Sequence, residues 1–244
     1  MIPAPAALYS GRLISPQGRD TVIIASDLEG TLTTGATWVG VGEYLKVHGH
    51  AARYRLFFAA HLPGALLARP HLINQQRYKE RWLVDLAQLL RGFTPAELDH
   101  MAEWVVEHEM WPGRRTDVLA ELEGHMAAGR RVILASGTYQ PVIEAFARRI
   151  GVTECLGTPF TLREGRATGH LAGPMNTGER KIAALRAYLN GAVLDMAYGD
   201  TAADIPMLAA AASAVAVYPD GPLRDRARRE GWRILDGAAG SHSG

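Results

Sequence analysis

The chain has 244 residues, with 48% hydrophobic and 21% charged side chains and a formal net charge of +1. That composition is globular rather than disordered, and the near-neutral charge excludes the broad basic footprint of a nucleic-acid binder. Cys155 is the single cysteine, which excludes an intramolecular disulfide and a cysteine-rich zinc site and fits a reducing, cytoplasmic setting.

The opening "MIPAPAALYSGRLISPQGRD" lacks the basic start and continuous apolar run of a signal peptide, so none is expected. "TVIIAS", residues 21–26, is β-branched and apolar throughout, as in a fully buried parallel strand, and it ends in two carboxylates, Asp27 and Glu29, before Gly30 and Thr31. Residues 38–109 show no strand pattern. Their apolar residues recur at helical spacing, giving expected helices near 39–49, 54–62, 76–92 and 96–110, with breaks at Pro63-Gly64 and Gly92. Thr94-Pro95 supplies an N-cap and a first-turn proline. The apolar run 56–68 contains His61 and Pro63 and is too short to span a bilayer, so no stable membrane insertion is expected.

After Trp111-Pro112-Gly113 the chain alternates between helix and strand. Helices are expected at 115–128, 139–150, 178–189, 202–212 and 222–230, and strands at 131–136, 192–199, 213–219 and 232–235. Residues 159–173 alternate and carry glycines, the pattern of a β-hairpin beside the main sheet. The tail from Asp236 has no apolar pattern and is expected to be mobile. Strands joined by helices imply a Rossmann-like α/β core, a mostly parallel sheet with helices on both faces. Ligands of such sheets sit beyond the carboxyl ends of the strands.

Those ends carry polar residues. The first ends in Asp27 and Glu29, the second in Ser136-Gly137-Thr138, and a later one in Gly199-Asp200, with Asp204 close behind. If the strands are neighbours, one pocket receives four acids, and these cannot all stay ionised together without a cation. Oxygen ligands with no histidine or cysteine among them point to magnesium, and magnesium points to a phosphate. Ser136 and the amides of Gly137 and Thr138 suit phosphate binding at a helix N-terminus, and Lys181 adds a positive charge. The plainer readings are that Ser136 is an N-cap, that Lys181 is a solvent-facing neighbour of Arg180, and that the apolar stripe of the inserted helices is core. The nine histidines show no ligand spacing.

"DLEGT" at 27–31, Ser136 at a strand end, Lys181 in "TGERKIAAL" and "GDTAAD" at 199–204 resemble, in order, the four motifs of the haloacid dehalogenase-like superfamily. The helical insert resembles the cap of its phosphoserine-phosphatase-like branch. The resemblance implies a core domain of residues 1–35 and 110–244 and a helical cap of 36–109. It also implies a magnesium-dependent phosphatase acting on a small phosphomonoester, with Asp27 as nucleophile and an aspartyl-phosphate intermediate. Glu29 would be the acid and base, and Ser136, Gly137 and Lys181 would bind phosphate. Magnesium would be held by Asp27, the main-chain carbonyl of Glu29 and Asp200, with Asp204 completing the set as support. Phosphotransfer to a small acceptor, or a catalytically weak metabolite-binding relative, are the alternatives. A dehalogenase is disfavoured because such relatives need no magnesium site.

Two positions depart from the pattern. Glu29 stands where aspartate is usual, and its extra methylene moves the acid by about a bond length; a misplacement near 1 Å costs roughly 100-fold in rate. Ala36 stands where phosphoserine phosphatases carry the glutamate that holds the substrate amine, which argues against phosphoserine. Trp38, Arg53, Arg55, Arg77 and Arg81, with the apolar residues 54–68, suit a larger or more apolar phosphate ester.

Overall fold

The computed structural model describes residues 7–8, 21–68 and 75–237, with side chains described for 21–61 and 79–237. In chain order the elements are β1 (Ala7–Leu8), β2 (Ile23–Ser26), α1 (Thr37–Val47), α2 (Ala51–Ala68), α3 (Gln75–Leu86), α4 (Pro95–Val105) and α5 (Thr116–Ala127). There follow β3 (Arg131–Tyr139), α6 (Gln140–Arg149), β4 (Glu154–Thr158), β5 (Phe160–Arg163), β6 (Arg166–Leu171), α7 (Glu179–Leu189), β7 (Met196–Gly199), α8 (Ile205–Ala210), β8 (Ser213–Val217), α9 (Gly221–Glu230) and β9 (Arg233–Leu235). Short 3₁₀ turns cover Ala87–Leu90 and Ala202–Asp204, and one π-helical turn covers Val106–Met110.

Six strands form one sheet in the order β4-β3-β2-β7-β8-β9, every pair parallel. The two-residue period of a strand sends alternate side chains to opposite faces. Ile24, Val132, Leu134, Tyr198, Val215 and Val217 therefore enter one core. Ile23, Ala25, Ile133, Ala135, Ala197, Ala214 and Ala216 enter the other. The second face is mostly alanine, and its core is completed by Ile182, Leu185 and Leu189 of α7, Met207 and Leu208 of α8, and Leu223 and Ala227 of α9. The first face carries the larger side chains, and its core runs without a break through α5 and α6 into the helical insert, to Tyr44, Trp82, Leu86, Leu98 and Met101. Strand β2 lies at the middle of the sheet and is wholly buried, which sets Asp27 at its exit.

Several elements differ from the sequence expectation. Helix α2 continues through Pro63-Gly64 instead of breaking there, because a proline removes only one ladder bond from a run otherwise rich in alanine and leucine. Helix 76–92 tightens into a 3₁₀ turn after Leu86, and helix 96–110 ends in the π-turn. Strand β3 extends three residues beyond Ser136, so the next helix opens at Gln140. Its pairing with β4 shifts register between Ala135 and Tyr139, an irregularity of the kind that re-aims side chains next to active sites. The expected hairpin is β5–β6, antiparallel, and β1 adds to its edge as a third strand. Thr94 caps α4 as expected, its side chain accepting the Glu97 amide while Glu97 accepts the Thr94 amide. The tail 238–244 and the side chain of Arg77 lie outside the described residues.

Phe146 is fully buried on α6, in the core that joins the sheet to the insert. Phe146→Ala is expected to destabilise the protein by about 3–5 kcal/mol, whereas Val22→Ala, at a position 40% exposed, should change it by less than about 0.5 kcal/mol, both measured by denaturant unfolding. Equal costs at the two positions would contradict this account of the core.

Candidate active site

Residues from the exits of four elements meet in a cavity of ≈ 240 Å³. Asp27 follows β2 and is 4% exposed, its amide bonded to the Tyr198 carbonyl of β7 at 3.0 Å. Lys181, on the first turn of α7, is equally buried and donates from Nζ to Asp27 Oδ1 and to Asp204 Oδ1, each at 2.6 Å. The other oxygen of Asp204 accepts from the amides of Asp200 and Thr201 at 3.2 Å and from the Thr201 hydroxyl at 3.3 Å. Asp204 is thus fully engaged in folding the turn after β7. Asp200 accepts from the Thr31 hydroxyl at 3.1 Å through Oδ1.

Two glycines make room for this arrangement. Gly30 adopts φ +89°, and a Cβ there would lie 1.9 Å from Asp200 Oδ2. A Cβ on Gly199 would lie 2.5 Å from Asp204 Cβ. Arg115 holds the Gly30 loop from outside, its Nε 2.9 Å from the Gly30 carbonyl and its guanidinium stacked 3.8 Å from the Tyr218 ring.

Burial pushes the Asp27 carboxyl up to about 7, against the pull of the Lys181 ammonium. Burial, with Asp27 and Asp204 close by, pushes Asp200 up to about 8. Burial also opposes the charge on Lys181, but Asp204 and Asp27 outweigh it and raise its pKa. Fully ionised, three carboxylates against one ammonium would leave two negative charges in the pocket, the complement of one divalent cation. Asp27, Asp200 and Asp204 each offer an oxygen, all within 4.8 Å of one another. Asp27 Oδ2 and Asp200 Oδ2 accept no hydrogen bond from the described residues, so the pocket fits a hard cation held by Asp27 and Asp200, as the donor chemistry requires.

Glu29 also lines the cavity. Its Oε1 accepts from the Thr37 amide at 3.1 Å and from the Thr37 hydroxyl, which in turn contacts the Thr138 hydroxyl. Burial raises its pKa while the Thr37 bonds oppose that. The N-cap of α1 is Ala36, which has no side chain able to cap, so Glu29 satisfies this helix end in its place. Ser136 is 2% exposed and, with Gly137 and Thr138, forms the irregular end of β3 rather than the start of α6. All three line the same cavity as Asp27, Lys181, Asp200 and Asp204.

Asp27, Glu29, Ser136, Gly137, Lys181, Asp200 and Asp204 therefore all reach one cavity. Sequence reasoning missed the Thr37–Thr138 link, and it missed Lys79 and Glu80 of α3, which line the same space. Glu80 accepts from the Thr177 hydroxyl at 2.6 Å. In sequence these two are ordinary charges on a polar helix, and only the fold brings the half-buried Glu80 and the exposed Lys79 to the cavity. Trp38, Leu83 and Met175 supply apolar wall, while Arg53, Arg55 and Arg81 do not line the cavity.

The haloacid dehalogenase-like hydrolase family matches residues 24–209. Phosphoserine phosphatase SerB1 of Mycobacterium tuberculosis is 30% identical over 246 residues, 96% of this chain and 77% of the relative. A histidinol-phosphatase of Neisseria meningitidis is 30% identical over 174 residues, 68% of this chain and 72% of the relative. Among solved structures, a Bordetella pertussis protein of unknown function superposes with a TM-score of 0.75 at 25% identity, over 88% of this chain and 99% of that one. A phosphoserine phosphatase solved as an analogue of its phospho-aspartyl intermediate superposes with a TM-score of 0.58 at 16% identity, over 88% and 93%, a likeness of fold. On the extent of the family match, and with its four motifs gathered around one cavity, the chain belongs to the haloacid dehalogenase-like hydrolases, in their phosphoserine-phosphatase-like branch, and is a phosphatase.

Proposed function

We propose that the protein is a magnesium-dependent phosphomonoesterase that works through an aspartyl-phosphate on Asp27. The observation that carries this reading is the buried Asp27–Lys181–Asp204 bridge beside Asp200, with Ser136 and Glu29 facing the same space. Asp27, Asp200 and the main-chain carbonyl of Glu29 would hold magnesium, and Asp204 would brace them. When bound, the ion offsets the carboxylates' charge so that a phosphate dianion can approach, and it polarises the phosphoryl oxygens.

The chain's own groups do the rest. Lys181 holds one oxygen of Asp27 and so fixes the orientation of the carboxylate, which would present one oxygen to the cation and the other to phosphorus. Ser136 and the amides around Gly137 orient the phosphoryl oxygens, and Lys181 adds positive charge beside them. Asp27 forms a bond to phosphorus as the ester P–O bond breaks, and Glu29 gives its proton to the leaving oxygen. Glu29 then takes a proton from water as that water attacks phosphorus, which frees phosphate and restores Asp27. Thr37 and Thr138 hold the carboxylate that the extra methylene has moved.

Residues 36–109 act in this reading as the cap domain over a core of 1–35 and 110–244. The cap supplies Ala36, Trp38, Lys79, Glu80 and Leu83 to the cavity. Ala36 and the Trp38–Leu83–Met175 wall favour a larger or more apolar ester than phosphoserine, set in a cytoplasmic metabolic role.

Phosphate release from a panel of phosphomonoesters, with and without magnesium, tests the reading. Release is expected to need magnesium, to fall at least about 10⁴-fold in Asp27→Asn, and to favour aryl or long-chain esters over phosphoserine. Undiminished release by Asp27→Asn would refute the mechanism, and preference for phosphoserine would refute the substrate class.

The hydroxyl of Thr37 provides a separate check on Glu29. Thr37→Val keeps the amide bond and removes the hydroxyl, and is expected to lower kcat by roughly 10–100-fold for alkyl phosphates. For p-nitrophenyl phosphate, whose leaving group needs no proton, the loss should be small, and Thr37→Ser should restore both. A uniform loss across leaving groups would assign Thr37 a structural role only.

Proton linkage gives a third outcome. Asp27 and Asp200 titrate above their ordinary values, at about 7 and about 8, so without metal they favour the fold below about pH 4 and lose that contribution as the pH rises through these values. Magnesium competes with those protons and relieves the repulsion of the ionised pair. The rise in Tm on adding magnesium is therefore expected to be larger near pH 8 than near pH 6; a rise that shrinks with pH would overturn the assignment of these ligands.

A further inference from the structure

Helix α2 reads "AARYRLFFAAHLPGALLA", with two arginines and no acid. A helix apolar on every side is ordinarily enclosed. Over residues 51–61, whose side chains are described, only one side is covered. Tyr54 is buried, Phe57 and His61 are half-buried, and Ala52, Arg53, Arg55, Leu56, Phe58, Ala59 and Ala60 are exposed. Ala52, Leu56, Ala59 and Ala60 fall at helical spacing on one stripe, with Leu56 75% exposed. The 100° step between residues sets Arg53 on one side of that stripe and Arg55 on the other. Neither guanidinium forms an ion pair with the described residues. Six large apolar side chains are markedly exposed among the described residues, and four of them, Val47, Leu56, Phe58 and Val84, belong to α1, α2 and α3. No helix of the described residues is long and apolar enough to cross a membrane.

We propose that this face of α2 docks on an anionic lipid surface, with Leu56 and its alanine neighbours entering the interface and Arg53 and Arg55 meeting lipid phosphates. Charge decides between this occupant and a second copy of the chain. A two-fold pairing of the stripe would bring the arginines of both copies to its rims, where α2 has no carboxylate to offset them. Anionic headgroups supply that charge, and the acyl boundary accepts the leucine. The docked helix is also connected to the site. Phe57 and Phe58 pack on Trp82 with centroids 5.3 and 5.9 Å away, and Trp82 packs at 5.8 Å on Trp38, which lines the catalytic cavity.

Co-sedimentation of the full chain with extruded vesicles tests the assignment. Vesicles of phosphatidylcholine mixed with phosphatidylglycerol are expected to carry the protein down, and phosphatidylcholine alone should not. The double substitution Arg53→Gln, Arg55→Gln should weaken partitioning roughly 30-fold, and Leu56→Asp roughly tenfold or more. Circular dichroism and light scattering of the same samples report their fold and oligomeric state, and both variants change exposed residues only. Absence of vesicle binding, or equal binding to both vesicles, overturns the proposal. A dimer that binds no vesicle and is dispersed by Leu56→Asp would assign the face to a second copy instead.

Discussion

The buried ammonium of Lys181, shared between Asp27 and Asp204, is the contact on which the rest of the site depends. Its two bonds join three pieces of chain that are far apart in sequence: the exit of β2, the first turn of α7, and the turn after β7. Removing one partner of such a buried set leaves an uncompensated charge, at a cost of about 3–5 kcal/mol. The lysine does not neutralise the pocket, and its incomplete compensation is useful. It fixes one oxygen of Asp27 and one of Asp204 while the cluster keeps the negative charge that a dication offsets. The same bond fixes the orientation of the Asp27 carboxylate, since among the described residues only Lys181 donates to it.

Around that bridge, the parallel sheet performs the assembly. Adjacent strands β3, β2 and β7 all end on the same side, so Ser136, Asp27 and Asp200 converge without any long loop. Close approach then has to be permitted, which is why Gly30 and Gly199 stand where a methyl group would strike Asp200 and Asp204. Asp204 closes the arrangement by binding the amides of its own turn, so the residue that positions Lys181 also folds the loop that carries Asp200.

Much of this was legible in the sequence, for identifiable reasons. The strands at 23–26 and 213–217 are continuous apolar runs because both of their faces are covered, and their ends are marked by acids or by a proline. The spacing from Gly199 to Asp204 is local, so a motif captures it. What escaped depends on partners distant in the chain. Strand β4, "ECLGT", has no alternation of its own and is held by pairing with β3 and by the Arg131–Glu154 ion pair at 2.5 Å. The three residues that β3 gains beyond Ser136 follow from that same pairing. The Glu29–Thr37 contact was hidden because a charge was sought at position 36, whereas the neighbouring Thr37 contributes an amide and a hydroxyl at a helix start. Pro63 misled in the opposite direction, since a single strong local signal lost to the helical preference of its neighbours.

The insert is anchored to the core at several places. Helix α4 packs on α6, and the 3₁₀ turn after α3 packs on β6, where the Gly92 and Ala167 amides donate to the Ala167 and Phe93 carbonyls at 2.8 and 2.7 Å. Separating α4 from α6 would expose Leu98, Met101 and Val105, at about 1.5–3 kcal/mol for each side chain. Helices α2 and α3 pack chiefly on α1 and on each other. Over the cavity, hydrogen bonds from Thr177 to Glu80 and from Tyr139 to the Leu83 carbonyl help tie α3 to the core, each worth about 0.5–1.5 kcal/mol net, beside the buried Trp82, Leu83 and Leu86. Thr37 and Trp38 both belong to α1, which packs on α4, so the contact to Glu29 and the Trp38 side of the wall sit on the anchored part of the insert, while Lys79 and Leu83 come from α3.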